Sequence, residues 1–488
     1  MIKRLIISIL IILLMPLSIC YSQEEASNTN TENDTNIEKP ANTENINQNE
    51  LKTLSMRECI NIALLNNPEI KAAISDTDII KTRISQAKAA YVPEINFSGG
   101  YNYNNSASYI TFIDNSVNAF DIATVGLTQL IYDFGKTFTN IKIQQTNFKS
   151  SKEDLQYTIN NTVYAVKKAY YDLLLAYERK HVYEESVKMY TEQLNQAKAL
   201  YEVGEKPKVD MLTAKVNLSN ANLELIKATN GVVIAYAALN NAMGIPEMKD
   251  YKVAENLEYL EKDYNFDDLI NLAIENRPDY KSALLKSESA KLQIKLAKTE
   301  FAPKIEAFSN YNVAGFNVNH DSTTDTGWSV GARLNLTALN IYRNKKKVDE
   351  AKASYNKEIH NSEILKNKVY LEIQQAYSTF VESKKSIPVS KVALEEAKEN
   401  FDMTNGRYRV GFGDHVELND ADFYYVNAKL AYYKALYDYN MSLVALEKFI
   451  GQEFTEETEP KIEPEIEPET EIKPETETKP ESNTENNQ

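Results

Sequence analysis

The chain is short of the residues that catalysis, redox chemistry and apolar membrane spans draw on. Its 488 residues include one Trp, two Cys and four His. His181, His320, His360 and His415 are scattered without metal-ligand spacing. No Gly-rich phosphate loop and no nucleophile elbow is present. The expectation is therefore no enzyme, no cofactor and no metal site. Cys59 stands among Ile60, Ala63 and Leu64, where a small buried apolar residue fits. One such thiol makes no intramolecular disulfide. A mean hydropathy of -0.46 excludes a bundle of apolar transmembrane helices.

The one apolar run, Leu5 to Leu14, follows Lys3 and Arg4. It is too short for a spanning helix and has the layout of a secretory signal peptide over 1–22. Two fates stay open for Cys20: acylation as a lipoprotein, or loss with the leader. Ile19 departs from the small residue that precedes a lipidated cysteine.

Charge is abundant but unevenly placed. Of the net -16, residues 23–50 carry seven acids and one Lys, and residues 453–488 carry thirteen acids and three Lys. The body, 51–452, is left near -2, which argues against nucleic acid as a partner. Both flanks have the composition of disorder: a polar linker over 23–50 and an acidic Glu/Pro-rich tail over 453–488.

The body repeats itself at an offset of about 205–210 residues. NNPEI at 66–70 answers NRPDY at 276–280, YVPEI at 91–95 answers FAPKI at 301–305, and Met243-Gly244 answers Ile450-Gly451. YEVGEKPKVDMLTA at 201–214 answers YRVGFGDHVELNDA at 408–421. The two units, 51–250 and 251–452, share one order: helix, strand, strand, long helix, Gly tip, helix. Gly204 and Gly411 read as the tips of two helical hairpins, since a Gly just past a helix end takes the positive φ that reverses the chain.

The long helix of the first unit is predicted from about Lys136 to Leu200, roughly 100 Å at 1.5 Å per residue. Val166, Leu173, Val187, Leu194 and Tyr201 follow a sevenfold row broken at Lys180, matched without a break by Ile373, Phe380, Ile387, Leu394, Phe401 and Tyr408. Such rows are coiled-coil seams. Pro388 is expected to kink the second long helix. Flanking helices are expected over about 55–90, 209–243, 265–300 and 416–450. Two of them end to end match one long helix, which suggests a tube wall.

Between the helices lie strand pairs. Ile95, Phe97, Tyr101 and Tyr103 share one side, as do Ile305, Ala307, Tyr311 and Val313. Trp328, Val330, Ala332, Leu334 and Leu336 alternate with polar or small residues. Long strands with one apolar face fit a transmembrane β-barrel. Four strands cannot close one, and an open edge cannot sit in lipid, so several chains must share it.

Taken with VGLTQLIYDFGK at 125–136 and VGARLNL at 330–336, these motifs resemble the TolC-type outer-membrane efflux proteins, over about 55–451. The fold class implied is mainly α with membrane β-strands: an internally duplicated, long α-helical barrel of coiled-coil hairpins, continuous with a shared transmembrane β-barrel of four strands per protomer. The resemblance implies a homotrimer in outer-membrane lipid, extending into the periplasm. It would serve as the exit duct of a tripartite efflux or type I secretion system. Its partners would be a periplasmic adaptor (membrane fusion) protein and an inner-membrane transporter of the RND, ABC or MFS type.

The resemblance also places functional residues. Glu417 and Asp420 match acids that narrow the pore, and Asp210 matches a first-copy acid bonded to a Tyr and an Arg of the second tip. The Tyr matches Tyr408, while the Arg position is Gly413, a departure from the family pattern. Val203, Gly204, Val410 and Gly411 match the adaptor-contact tips. Read as residues alone, the acids are also what a solvated helix start carries, where they complement the macrodipole. His415 is expected to be solvated at the tip, where it would tune the entrance below about pH 6.5. A structural or adhesive coiled-coil surface protein is the alternative; it would need neither amphipathic strands nor pore acids.

Overall fold

The computed structural model describes residues 52–100, 118–248, 251–254, 257, 259, 261–318, 321–336 and 340–452. The signal segment with Cys20, both flanks, and Tyr101 and Tyr103 lie outside these residues. The described elements are β1 (Lys52–Leu54), α1 (Met56–Asn66), α2 (Pro68–Lys88), β2 (Glu94–Ser98), β3 (Asn118–Tyr132), α3 (Lys136–Glu202) and α4 (Lys208–Met243). The second repeat supplies β4 (Tyr251–Val253), α5 (Phe266–Asn276), α6 (Pro278–Thr299), β5 (Lys304–Val318), β6 (Asp321–Asn335), α7 (Ile341–Arg409) and α8 (His415–Ile450).

The strands form one antiparallel sheet in the order β2-β3-β5-β6. Its register sorts side chains by polarity. Phe97, Val125, Tyr311 and Trp328 fall in one row across all four strands, with Ile95, Leu127, Ser309 and Val330 in the next row on that face. The opposite face carries Asn96, Gly126, Asn310 and Ser329, then Glu94, Thr128, Phe308 and Gly331. The apolar face is bare: Phe97 is 78% and Trp328 74% exposed. On the other face the Phe308 ring lies over Gly331, where an added Cβ would meet the ring at 2.9 Å. Arg333 stacks on the same ring at 4.9 Å.

Asp133 starts α3 by accepting from the backbone N–H of Gly135 (3.1 Å) and Thr137 (2.7 Å). The helix then runs 67 residues and α7 runs 69, unbroken through Pro388. Neither 55–90 nor 265–300 is one helix, contrary to expectation. Asn67 and Arg277 are extended (ψ 125° and 119°) because a proline follows each. The helices stop there and restart at Pro68 and Pro278, with the proline in the first turn where its missing donor is harmless.

These junctions seat the ends of the lower helices. Asn67 caps α2 through Glu69 N–H and donates to the Ala242 carbonyl at 2.9 Å. Gly244, at φ +74°, ends α4 against it: an added Cβ would lie 2.7 Å from Asn67 Cα. Gly451, at φ +82°, ends α8 in the same way, 3.0 Å from Arg277 Cα. Beside these joints, β1 pairs in parallel with β4, a small sheet that sequence reasoning did not find.

Each repeat has its own apolar core. Cys59, Val166, Leu173, Leu239 and Met243 pack together in the first repeat, and Leu269, Ile373, Phe380, Tyr439 and Ile450 in the second. Burial pushes the Cys59 thiol up to about 11, as a structural cysteine requires. The predicted row of α7 is buried at Ile373, Phe380, Ile387 and Tyr408. That of α3 is corrected below Leu173. Val187 and Leu194 are half-buried and Tyr201 exposed, while Ser186, Gln193 and Ala197 are buried. The helix packs on α4 and α8 at once, so a small, polar row faces the second neighbour.

Replacing Gly244 with Ala should cost about 2 kcal/mol or more, from the left-handed φ together with the clash on Asn67. Gly451→Ala, with slightly more room, should cost less. Denaturant unfolding of the two variants checks the order.

A candidate pore entrance at the hairpin tips

Both tips turn by the same device. α3 ends as Gly204, at φ +79°, donates to the Tyr201 carbonyl at 3.0 Å and Glu205 N–H reaches Leu200 at 2.9 Å. α7 ends as Gly411, at φ +82°, donates to Tyr408 at 3.0 Å while Phe412 and Gly413 both donate to the Arg407 carbonyl at 3.1 Å. These bonds satisfy carbonyls that the helix end leaves orphaned. Val203 and Val410 stand exposed, and Phe412 between the helices is 86% exposed.

Asp414 caps α8 through Val416 N–H, which sets the rotation of that helix. Glu417 and Asp420 point away from the protein, exposed, while His415, Leu418, Ala421 and Asp422 point in. Glu417 pairs with Arg407 at 3.2 Å. Asp210, half-buried at the start of α4, sits across the tip near Tyr408 and His415.

The fully buried Tyr408 hydroxyl has no hydrogen-bond partner among the described residues. Desolvation, then the charges of Asp210 and Asp414, push it up to about 12. His415 corrects the expectation of a solvated ring. It is 4% exposed, lies 5.6 Å from the Tyr408 ring, and neither ring nitrogen has a partner. Burial outweighs the pull of Asp210 and Asp414 and holds its pKa below the ordinary value.

Gly413 stands where the resemblance expects an Arg. A Cβ there would lie 2.7 Å from Tyr408 N and 2.9 Å from its Cα. The tight turn leaves no room for a side chain. The contact between tips is made instead by a base of the first copy: Lys206 donates to the Gly413 carbonyl at 2.9 Å and lies 5.6 Å from the Tyr408 ring.

One turn deeper is a contact that sequence reasoning missed. Asp422 is fully buried between α8 and α3, where Gln193 donates to its Oδ1 at 3.0 Å; its Oδ2 has no partner. Desolvation pushes the carboxyl up to about 7 against the lowering effect of that one amide. The signal was an acid at a core position, since 415, 418 and 422 keep helical three-four spacing. Asn217 donates to Asn419 nearby at 2.6 Å.

The seam between the two repeats continues upward as polar contacts. Lys429 pairs with Glu185, Tyr437 donates to Asp172 at 2.6 Å, Lys167 pairs with Glu447 at 2.8 Å, and Asn160 donates to the Gly451 carbonyl at 3.2 Å. Among the described residues no helix is long and apolar enough to cross a membrane, and no cluster of His, Cys, Asp and Glu could hold a metal.

The model of the outer membrane efflux protein family matches residues 59–245 and 269–452, one match for each repeat. The chain belongs to that family. It is 22% identical to the outer membrane protein TolC of Vibrio cholerae over 413 residues, covering 81% of this chain and 90% of that protein. It is 20% identical over 365 residues to a probable outer membrane lipoprotein, SilC, of Salmonella typhimurium, covering 74% and 77%. The outer membrane channel CmeC of Campylobacter jejuni superposes with a TM-score of 0.70 at 18% identity, covering 81% of this chain and 85% of that one. As a member of the efflux family, the chain is an outer-membrane channel, with the four strands as its membrane part and the helical hairpins as its duct.

The Asp422 carboxyl makes stability pH-dependent in a stated sense. Burial pushes its folded pKa up to about 7 from an ordinary 3.8. Between those values the unfolded chain has released the proton that the folded chain keeps. This group therefore lowers stability as pH rises from about 4 to about 7, and adds no further change above that. Asp422→Asn keeps the shape without the charge. It should raise the melting midpoint little near pH 4 and increasingly up to pH 7, with a plateau beyond. A constant difference across that range would contradict a protonatable buried acid.

Proposed function

We propose that three copies of this chain share one β-barrel in outer-membrane lipid and one helical duct in the periplasm. The duct passes substrates delivered by an inner-membrane transporter of the RND, ABC or MFS type through a periplasmic adaptor. The observation that carries this reading is the four-stranded sheet, whose edge strands β2 and β6 have no partner among the described residues and whose apolar row is bare. In hydrocarbon each unpaired backbone group costs several kcal/mol, so the edges must meet edges of other copies. Three copies give twelve strands, above the minimum of about eight for a membrane barrel.

In this assembly the exposed Glu417 and Asp420 of α8 ring the periplasmic entrance. Six carboxylates in a narrow mouth attract cations and repel anions. Lys206, through the Gly413 carbonyl and the Tyr408 ring, holds the second tip against the first, and the Asp210–Tyr408 bond that the resemblance implies is not made. The exposed residues Val203, Gly204 and Val410, with half-buried Gly411, are the adaptor surface. The leader of 1–22, the linker of 23–50 and the tail of 453–488 flank the two channel repeats. Transport takes its energy and its cargo selection from the transporter, which places drug efflux, metal export and type I protein secretion within reach of the same duct.

Two outcomes are expected of the purified protein. In planar bilayers it should conduct, and multivalent cations on the periplasmic side should block it. Glu417→Ala with Asp420→Ala should weaken that block about tenfold or more, since each lost charge removes about 1 kcal/mol of attraction. Unchanged block would remove these acids from the pore. In detergent the protein should run at three times the protomer mass, and a stable monomer would contradict the shared barrel.

A further inference from the structure

The chain's acid and base are segregated, and the fold brings the two ends of that segregation together. Residues 68–92, 136–168, 278–300 and 341–370 make the membrane-side half of the helical wall. They hold 23 Lys and Arg against 12 Asp and Glu, a net +11. The C-terminal tail, residues 453–488, is -10.

On α6 the bases form a stripe. Lys281, Leu284, Glu288, Lys291, Lys295 and Lys298 follow alternating steps of three and four, the spacing of one helix face. Lys291, Lys295 and Lys298 are exposed, and neither they nor Lys281 make an ion pair among the described residues. Lys286, on another face of α6, already pairs with Asp154 at 3.2 Å.

The tail starts at the foot of this stripe. Gly451 packs against Arg277, which directly precedes the first residue of α6, and Gln452 is the last described residue. The stripe from Lys281 to Lys298 rises about 26 Å toward the membrane. The tail repeats acids at every second residue from Glu463 to Glu471, separated by Pro464 and Pro468. An extended Pro-rich chain advances about 6 Å per two residues, close to the 5.4 Å turn of a helix. Fully extended, the ten residues from 453 to 462 reach about 30 Å, as far as Lys298 at the far end of the stripe, so with slack in these ten residues the acidic run lies alongside the lysines.

We propose that the acidic tail lies along the lysine stripe of α6 as an extended, charge-matched strap on the membrane-side half of the helical wall. It covers this face against other anions, and salt weakens it.

The test uses the full-length protein and a form lacking residues 453–488, both in detergent at low ionic strength. Amine acylation read by mass spectrometry should show Lys291, Lys295 and Lys298 several-fold more reactive without the tail. Lys215, exposed on α4 in the tip-side half, should be unchanged. Carbodiimide should join Glu463–Glu471 to the three α6 lysines, and about 0.5 M salt should abolish the links by screening. Lys291→Gln with Lys295→Gln and Lys298→Gln changes exposed residues only. This variant should keep its oligomeric mass while losing the links. Equal lysine reactivity in the two forms, or links only to bases of the tip-side half, would overturn the proposal. So would protection that persists without the tail, which would assign the face to another occupant such as lipid headgroups.

Discussion

A sheet edge cannot be left in hydrocarbon, and this constraint organises the whole molecule. Without water to receive them, the N–H and C=O groups of β2 and β6 that are left unpaired among the described residues must find other strands. Closure through other copies then dictates the rest. The strands continue into α2, α3, α6 and α7 with little slack, so a ring of strands becomes a ring of helices. The same register that lines up Phe97, Val125, Tyr311 and Trp328 on the lipid face puts Asn96, Asn310 and Ser329 on the other.

Within the helical body two kinds of contact divide the labour. Each repeat closes on its own apolar core, where contacts are dry and not easily rearranged. Between repeats the seam from Asn160–Gly451 down to Lys206–Gly413 is built of amides, hydroxyls and ion pairs. Polar contacts of this sort cost little to exchange with water, since each is worth about 1 kcal/mol net. The two hairpins are therefore firm bodies joined by an adjustable seam. Asp422 is the costly exception, a carboxyl kept away from water with a single amide to satisfy it.

The duplication, the long helices, the tips and the strands were legible because each leaves a periodic or punctuated trace: sevenfold rows, alternation, Gly at helix ends, Pro at their starts. Of what was not legible, the helix breaks were local and the rest was set by contacts between neighbouring helices. The break at Asn67 and Arg277 needed weight on the residue before proline, which the long apolar pattern over 55–90 concealed. The α3 row departs from its spacing below Leu173 because sequence spacing marks large apolar residues, whereas this helix offers Ser186, Gln193 and Ala197 to its second neighbour. At the tips, the resemblance singled out Glu417, Asp420, Asp210 and Tyr408, all of which lie there. It did not reveal that His415 is enclosed, that Gly413 has no space for any side chain, or that Gln193 meets Asp422 across 229 residues.

The two glycine-ended lower helices, α4 and α8, have the same length, 36 residues each, and the long helices beside them differ by only two residues. Both lower helices are anchored at one end by the Asn67 and Arg277 joints and finish together at the tips. Duct length is thus a quantised quantity. A single inserted residue in α4 would rotate everything beyond it by about 100° and push one tip out of line with the other. Lengthening the tube without breaking its seams requires about two helical turns added to α3, α4, α7 and α8 together, a coordinated change of the kind that sevenfold repeats permit.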